Sequence, residues 1–215
     1  MNQPDTKQTF LRVPVFPSFG LVILCLLAAL GGCDSIPNDG IRFTEVEQSQ
    51  PITIKDFSDL TFTNEAGVAV KLADVMSKDY LVLVITRGWN NGVCIYCVSQ
   101  TSRWARRYEE LEAYNAQLAV VFPVETEADA THSSDLGARI RKGPIDNDRI
   151  PFPILLDINL TGVDQLGIRS QLAKPSTYII DRKGRVRFAY VGESIADRPT
   201  VDSILSQLSQ IASTQ

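Results

Sequence analysis

From about residue 51 onward, continuous apolar runs alternate along the chain with stretches whose apolar residues recur every three or four positions. Leu60-Thr61-Phe62 and Val68-Ala69-Val70, separated by Asn64-Glu65-Ala66-Gly67, read as a β-hairpin. Leu81-Val82-Leu83-Val84-Ile85 is apolar throughout and β-branched, the signature of a strand covered on both faces. Leu118-Ala119-Val120-Val121-Phe122 and Ile154-Leu155-Leu156 repeat it, and Thr177-Tyr178-Ile179-Ile180 supplies a further strand. Asp181-Arg182-Lys183-Gly184 predicts a turn into Val186-Arg187-Phe188-Ala189-Tyr190, whose period-two alternation suits an antiparallel partner. Between the strands, Cys94 opens a helical pattern with Val98, Thr101, Ala105, Tyr108 and Leu111 on one face. Val201, Ile204, Leu205, Leu208 and Ile211 predict a closing amphipathic helix. The alternation implies an α/β fold: a three-layer α/β/α domain over residues 51–215, with a central mixed sheet and an N-terminal β-hairpin extension.

The N-terminus departs from this pattern. Lys7 and Arg12 precede the apolar run Leu21–Leu30, the layout of a secretory signal. That run is too short to span a bilayer, which takes about 20 apolar residues. Leu30-Gly31-Gly32-Cys33 resembles the lipobox of bacterial lipoproteins, in which the cysteine receives lipid on its sulfur; an ordinary cleavage after Gly32 is the alternative. The resemblance implies a signal peptide over residues 1–32, lipidation at Cys33, a polar tether over 33–50, and a bacterial cell-envelope location facing the periplasm or exterior. Cys25, preceded by bulky Leu24, falls within the discarded segment. From 21 basic and 25 acidic side chains, loss of Lys7, Arg12 and Asp5 leaves a formal charge of −5. With no Lys/Arg-rich run, nucleic acid is excluded as a partner class, because phosphate recognition needs a basic face.

Cys94 and Cys97 are then the remaining thiols. A disulfide across two intervening residues closes a very small loop and stabilises little in the chain-entropy model, so the pair suits turnover better than stapling. The preceding strand ends near Ile85-Thr86, and Arg87-Gly88-Trp89-Asn90-Asn91-Gly92-Val93 leads to the cysteines. Cys94 therefore falls at a helix N-terminus, where unpaired N–H groups and the helix dipole favour a thiolate. Cys97, one turn on, is placed to resolve an intermediate formed on Cys94.

The strand, loop, Cys-x-x-Cys and helix unit, together with Leu156-Asp157, Gly167-Ile168 and Lys174-Pro175-Ser176-Thr177-Tyr178-Ile179-Ile180-Asp181-Arg182-Lys183-Gly184, resembles the thioredoxin-like superfamily from about Phe57 to Ile211. The similarity lies with the redoxin branch of alkyl hydroperoxide reductase C and thiol-specific antioxidant proteins and with membrane-anchored thiol-disulfide oxidoreductases. It implies a cis Pro175 facing the dithiol, with the backbone of Lys174 presented to an extended substrate. The chain departs from that pattern at three places. The proline and the threonine or serine that lie seven and three residues before a peroxidatic cysteine are replaced by Arg87 and Asn91 ahead of Cys94, and by Asn90 and Cys94 ahead of Cys97. Ile95-Tyr96 stands where thioredoxins have Gly-Pro. No acid interrupts Leu83-Val84-Ile85, so another base or water must take the proton of Cys97.

Arg87 either tunes the Cys94 thiolate and orients a peroxide oxygen or is a solvated loop side chain. Trp89 either covers the dithiol or packs, Tyr96 modulates access to sulfur, and His132 lies in a polar stretch suited to capping a helix, with solvation at the surface its expected place. The leading expectation is an exported thiol-disulfide oxidoreductase with Cys94 as nucleophile, acting on protein disulfides and re-reduced by a membrane electron donor. The first alternative is a thiol peroxidase with Cys94 peroxidatic and Cys97 resolving. A copper-binding module is the second, drawing on thiolate softness and His132 as the single histidine. Neither of the first two needs a cofactor or a metal.

Overall fold

The apolar run at Tyr80–Ile85 becomes β3, and all six residues are buried because both neighbours and both faces are occupied. The computed structural model describes residues 40–141 and 149–214, which lie within the unit Ser35–Gln215. The signal peptide, Cys25, the lipidation site Cys33 and the tether up to residue 39 fall outside the described residues.

The other described strands are β1 (Thr61–Thr63), β2 (Ala69–Lys71), β4 (Ala116–Val124), β5 (Ile154–Ile158), β6 (Ser176–Asp181) and β7 (Val186–Val191). They form a seven-stranded sheet in the order β2-β1-β5-β4-β3-β6-β7. β3, β4 and β5 are mutually parallel neighbours, while β6 and β7 run antiparallel beyond β3 and β1 joins β5 antiparallel. The mixed sheet and the hairpin extension therefore stand as predicted, with the hairpin one residue later in register.

The helices are α1 (Leu72–Val75), α2 (Ile95–Arg106), α3 (Ser133–Arg141), α4 (Thr161–Gln165) and α5 (Val201–Ser213). Period-two alternation in β3 divides the core between two faces. Tyr80, Val82 and Val84 pack with Trp104, Leu136, Ile204 and Leu208 of α2, α3 and α5. Leu81, Leu83 and Ile85 pack on the other face with Leu72, Leu160, Val163 and Leu172. All five apolar positions predicted for the last helix are buried on α5. Thr200 caps that helix by accepting from Ser203 N at 3.1 Å.

Two expectations are corrected. The helix from Cys94 stops at Arg106, and a 3-10 helix takes over at Tyr108–Tyr114, ending on Asn115 in the left-handed region (φ 47°). Asn tolerates that conformation and ends the helical run before β4. Residues 41–50, expected as free tether, are docked as a strap. Thr44 N donates to Arg198 O (2.7 Å), Thr200 N to Thr44 O (3.0 Å), and Val46 is buried with its N–H on Ser203 Oγ (2.8 Å). Further along, Gln50 N donates to Ala189 O (2.8 Å) and Val191 N to Gln50 Oε1 (2.7 Å). Hydrogen bonds to α5 and β7 hold this segment, so its polar sequence shows no apolar period.

Candidate active site

The loop from β3 to α2 is fixed before the cysteines are reached. Thr86 donates through both N–H and Oγ1 to Val121 O at 3.0 Å, and Trp89 N donates to Pro123 O at 3.1 Å. Gly88 sits at φ +94°, and a Cβ there would lie 2.2 Å from Pro123 O, so only glycine lets the loop cross the end of β4 this closely.

Cys94 is the N-cap residue of α2, half-buried, and Cys97 is buried one turn on; both are free thiols. The neighbouring Cys97 thiol and the main-chain N–H groups of Cys97 and Tyr96 all favour negative charge on Cys94 Sγ. These are the orphan donors of the first turn, aimed at sulfur. With the nearby Arg198 guanidinium they outweigh the burial of the thiol and pull Cys94 from the ordinary thiol range down to about 5. Burial and its bond to Cys94 push Cys97 the other way, well above the ordinary range. The environment separates two chemically identical groups into a nucleophile ionised at neutral pH and a protonated partner.

Cys97 Sγ has two donors from other elements: the main-chain N–H of Arg87 at 3.4 Å and Nη2 of Arg198 at 3.2 Å. Arg198 is fully buried and also donates Nη1 to Gln100 Oε1 (2.6 Å) and Nε to Ile195 O (3.1 Å). Neither Gln100 nor a carbonyl carries formal charge, so among these three partners only an ionised sulfur supplies a countercharge to the guanidinium. As negative charge develops on the Cys97 sulfur during its attack, these two donors favour it.

The predicted residues are only partly gathered here. Arg87 serves through its backbone, while its guanidinium donates to Gln171 Oε1 at 2.8 Å. Tyr96 is half-buried and contributes its N–H. Trp89 stacks on His132, ring centroids 3.6 Å apart and planes within 8°. His132 is thus half-buried against a ring, with Nδ1 3.1 Å from Asp135 Oδ2, and the helical turn before it is capped by Thr126 instead. Among the described residues no three His, Cys, Asp or Glu side chains are grouped to hold a metal.

The loop carrying Lys174 and Pro175 does reach the site, since Ala173 N donates to Arg87 O (3.4 Å) and Ser176 pairs with Ile85. The expected cis bond does not occur: every described peptide bond is trans. The trans chain satisfies its own groups, with Lys174 N on Ile168 O (2.9 Å), Lys174 O accepting from Ser176 Oγ (2.9 Å) and Pro175 O accepting from Gly192 N (2.8 Å). The backbone of Lys174, expected to face an incoming extended peptide, is engaged within the chain.

Sequence reasoning missed Arg198 and Gln100. Gln100 was within reach, because residues three and four beyond Cys97 share its helix face. Arg198 lies in a short loop ahead of α5, 101 residues from Cys97, where no periodicity marks it.

The AhpC/TSA family model matches residues 54–189. No curated protein sequence matches the chain. Among solved structures, the yeast mitochondrial 1-Cys peroxiredoxin is similar at 17% identity and a TM-score of 0.62, covering 77% of this chain and 78% of its own. Peroxiredoxin 6 of Arenicola marina gives 16% identity and 0.61 over 76% and 75% of the two chains. The mitochondrial 2-Cys peroxiredoxin of Plasmodium falciparum gives 19% and 0.53 over 77% and 93%. At these identities the structures speak for the shared fold.

Proposed function

Since the chain belongs to the AhpC/TSA family of thiol-based oxidoreductases, we propose that it is a Cys-x-x-Cys thiol peroxidase, lipid-anchored at Cys33 in the bacterial cell envelope. The observation that carries this reading is the geometry at α2: Cys94 half-buried at the N-cap, and Cys97 buried one turn on with its sulfur reached by Arg87 N–H at 3.4 Å and Arg198 Nη2 at 3.2 Å. The Cys94 thiolate attacks the terminal oxygen of a hydroperoxide, forming a sulfenic acid and releasing alkoxide, which takes a proton from water. The Cys97 sulfur then attacks the sulfenic sulfur; its proton leaves with the hydroxide as water, and a disulfide forms. The substrate is reduced by two electrons and the dithiol is oxidised by two. No separate base is required, because the proton of Cys97 travels to the leaving group. A thiol donor at the membrane returns the pair to the dithiol.

The closed backbone at Lys174 favours peroxide over a protein disulfide, since an extended peptide would find both groups already bonded. The reduced protein should consume hydrogen peroxide and alkyl hydroperoxides with formation of one intramolecular disulfide, and should reduce insulin-type disulfides at least about 100-fold more slowly, the scale on which one misplaced docking contact acts. Rapid insulin reduction with negligible peroxide consumption would reverse the assignment.

The anchor rests on Leu30-Gly31-Gly32-Cys33 and the preceding apolar run. With the strap docked from Ile41, seven residues lie between it and Cys33, so their Cα atoms are at most about 29 Å apart. Cys33→Ser expressed in bacteria should move the protein from the membrane to the soluble fraction and abolish incorporation of labelled palmitate. Unchanged membrane association would exclude this anchor.

A further inference from the structure

We propose that Thr44, through the strap segment around it, is a positioning residue of the redox centre that holds Arg198 against the Cys97 sulfur. The inference rests on Cys94 and Cys97 being the redox pair, and it is independent of whether peroxide or disulfide is the oxidant.

Arg198 is reached by the strap on both sides of its Cα. Thr44 N donates to its carbonyl at 2.7 Å, and Thr44 O accepts from Thr200 N at 3.0 Å, a single parallel bridge spanning Pro199. Thr44 Oγ1 donates to Asp197 Oδ1 at 2.8 Å, and the same carboxylate takes Tyr190 Oη (2.6 Å) and Glu193 N (2.9 Å). One strap residue thus binds residues 197, 198 and 200. Pro199 has no N–H to donate, and Arg198 O and Thr200 N on either side of it are both taken up by the strap.

On the opposite side of the same loop the guanidinium reaches Cys97, Gln100 and Ile195 O. Its fork is rigid and its bond to sulfur is 3.2 Å long, so displacement of the backbone by about an ångström would remove that contact. The strap is anchored independently at its other end, on β7 through Ser49 Oγ, which accepts from Ala189 N at 3.0 Å. A strap that served only to cover α5 would need no bond on each side of the arginine.

Withdrawing the guanidinium raises the energy of the ionised dithiol and leaves the disulfide unaffected, so the reduced state loses stability relative to the oxidised one. The test replaces Thr44 by proline, which deletes the N–H bonded to Arg198 O, in the otherwise intact chain. Iodoacetamide modification of Cys94 at pH 5 should slow about fivefold, as its thiolate midpoint moves to about tenfold lower proton concentration. The equilibrium with a glutathione redox buffer should shift about tenfold toward the disulfide, equivalent to about 30 mV. Thr44→Ser should restore both values, and Ser49→Ala, loosening the far end of the strap, should leave both at wild type. Neither reading involves substrate, so failure here is separate from failure of the peroxidase assignment. Wild-type midpoint and potential in folded Thr44→Pro overturn the proposal, as do equal shifts in Ser49→Ala. Should Thr44→Pro not fold, Thr44→Val, which loses only the bond to Asp197, decides: shifts in the same directions support the proposal and wild-type readings overturn it.

Discussion

In excess hydroperoxide, Cys97→Ser chains are expected to pass beyond the sulfenic acid to sulfinic and sulfonic forms at Cys94, whereas the wild-type chain stops at a disulfide. The expectation follows from the placement of Cys97, whose sulfur is buried, protonated and hydrogen-bonded to Cys94. Once the sulfenic acid forms, the resolving sulfur is already in contact, and condensation should outrun a second encounter with peroxide. Serine keeps a donor for the Cys94 thiolate but cannot form the disulfide, so the first oxidation should proceed while the cycle fails. Intact mass spectrometry separates the outcomes: loss of two hydrogens in wild type, gain of two or three oxygens at Cys94 in the variant. A variant that turns over as fast as wild type, or a wild type gaining oxygen at the same rate, would refute the resolving role. Cys94→Ser should lose steady-state turnover by at least about 10³-fold, the usual order for removing a nucleophile.

Arg198→Met should be the most damaging change outside the cysteines. Methionine retains much of the volume and removes the cation, leaving Gln100 Oε1 and Ile195 O without the donors that reach them at 2.6 and 3.1 Å. An orphaned buried acceptor such as Gln100 Oε1 costs about 1–3 kcal/mol, so a loss of a few degrees in thermal midpoint is expected. The chemical effect is separate and has a definite sign. Arg198 is among the groups holding Cys94 down at about 5, so its loss moves the alkylation profile of Cys94 toward higher pH. Because the Cys94 thiol is more acidic folded than unfolded, its ionisation contributes stability to the reduced protein above the unfolded thiol range, and that contribution is lost as pH falls through about 5. In Arg198→Met that contribution should be smaller and its loss complete at a higher pH. Chemical denaturation of the reduced protein between pH 4 and 9 measures it; superimposable profiles for the two chains would show that the guanidinium does not act on the dithiol.

The parts of this arrangement legible in the sequence are those whose physics is local. Strands β3 to β7 announce themselves by apolar continuity or alternation, α5 by its 3.6-residue period, and the placement of Cys94 by the strand, loop and helix order around it. The cysteines and their unequal roles follow from that order alone. What escaped depends on contacts distant in sequence. Arg198 looks like any loop arginine until α5 packs beside α2, and the strap looks like a linker because its bonds run through main chain and short polar side chains. Pro175 shows the converse error. Its sequence context matched a resemblance, yet the cis expectation failed because Ile168, Ser176 and Gly192 satisfy the neighbouring backbone in the trans form. Trp89 and His132 lie in separate stretches with no shared period, so their stacking had no sequence signal.

The separation of 101 residues between Cys97 and Arg198 has a bearing on how the molecule comes into being. An unfolded or half-synthesised chain carries the same two cysteines, but their thiols there have an ordinary acidity of about 8.5 and react slowly at neutral pH. The first turn of α2 supplies the larger part of that acidity, and the Arg198 contribution joins it only when the loop ahead of α5 has met the helix, a late event for contacts of such long range. The full acidity of Cys94 is therefore a property of the finished fold.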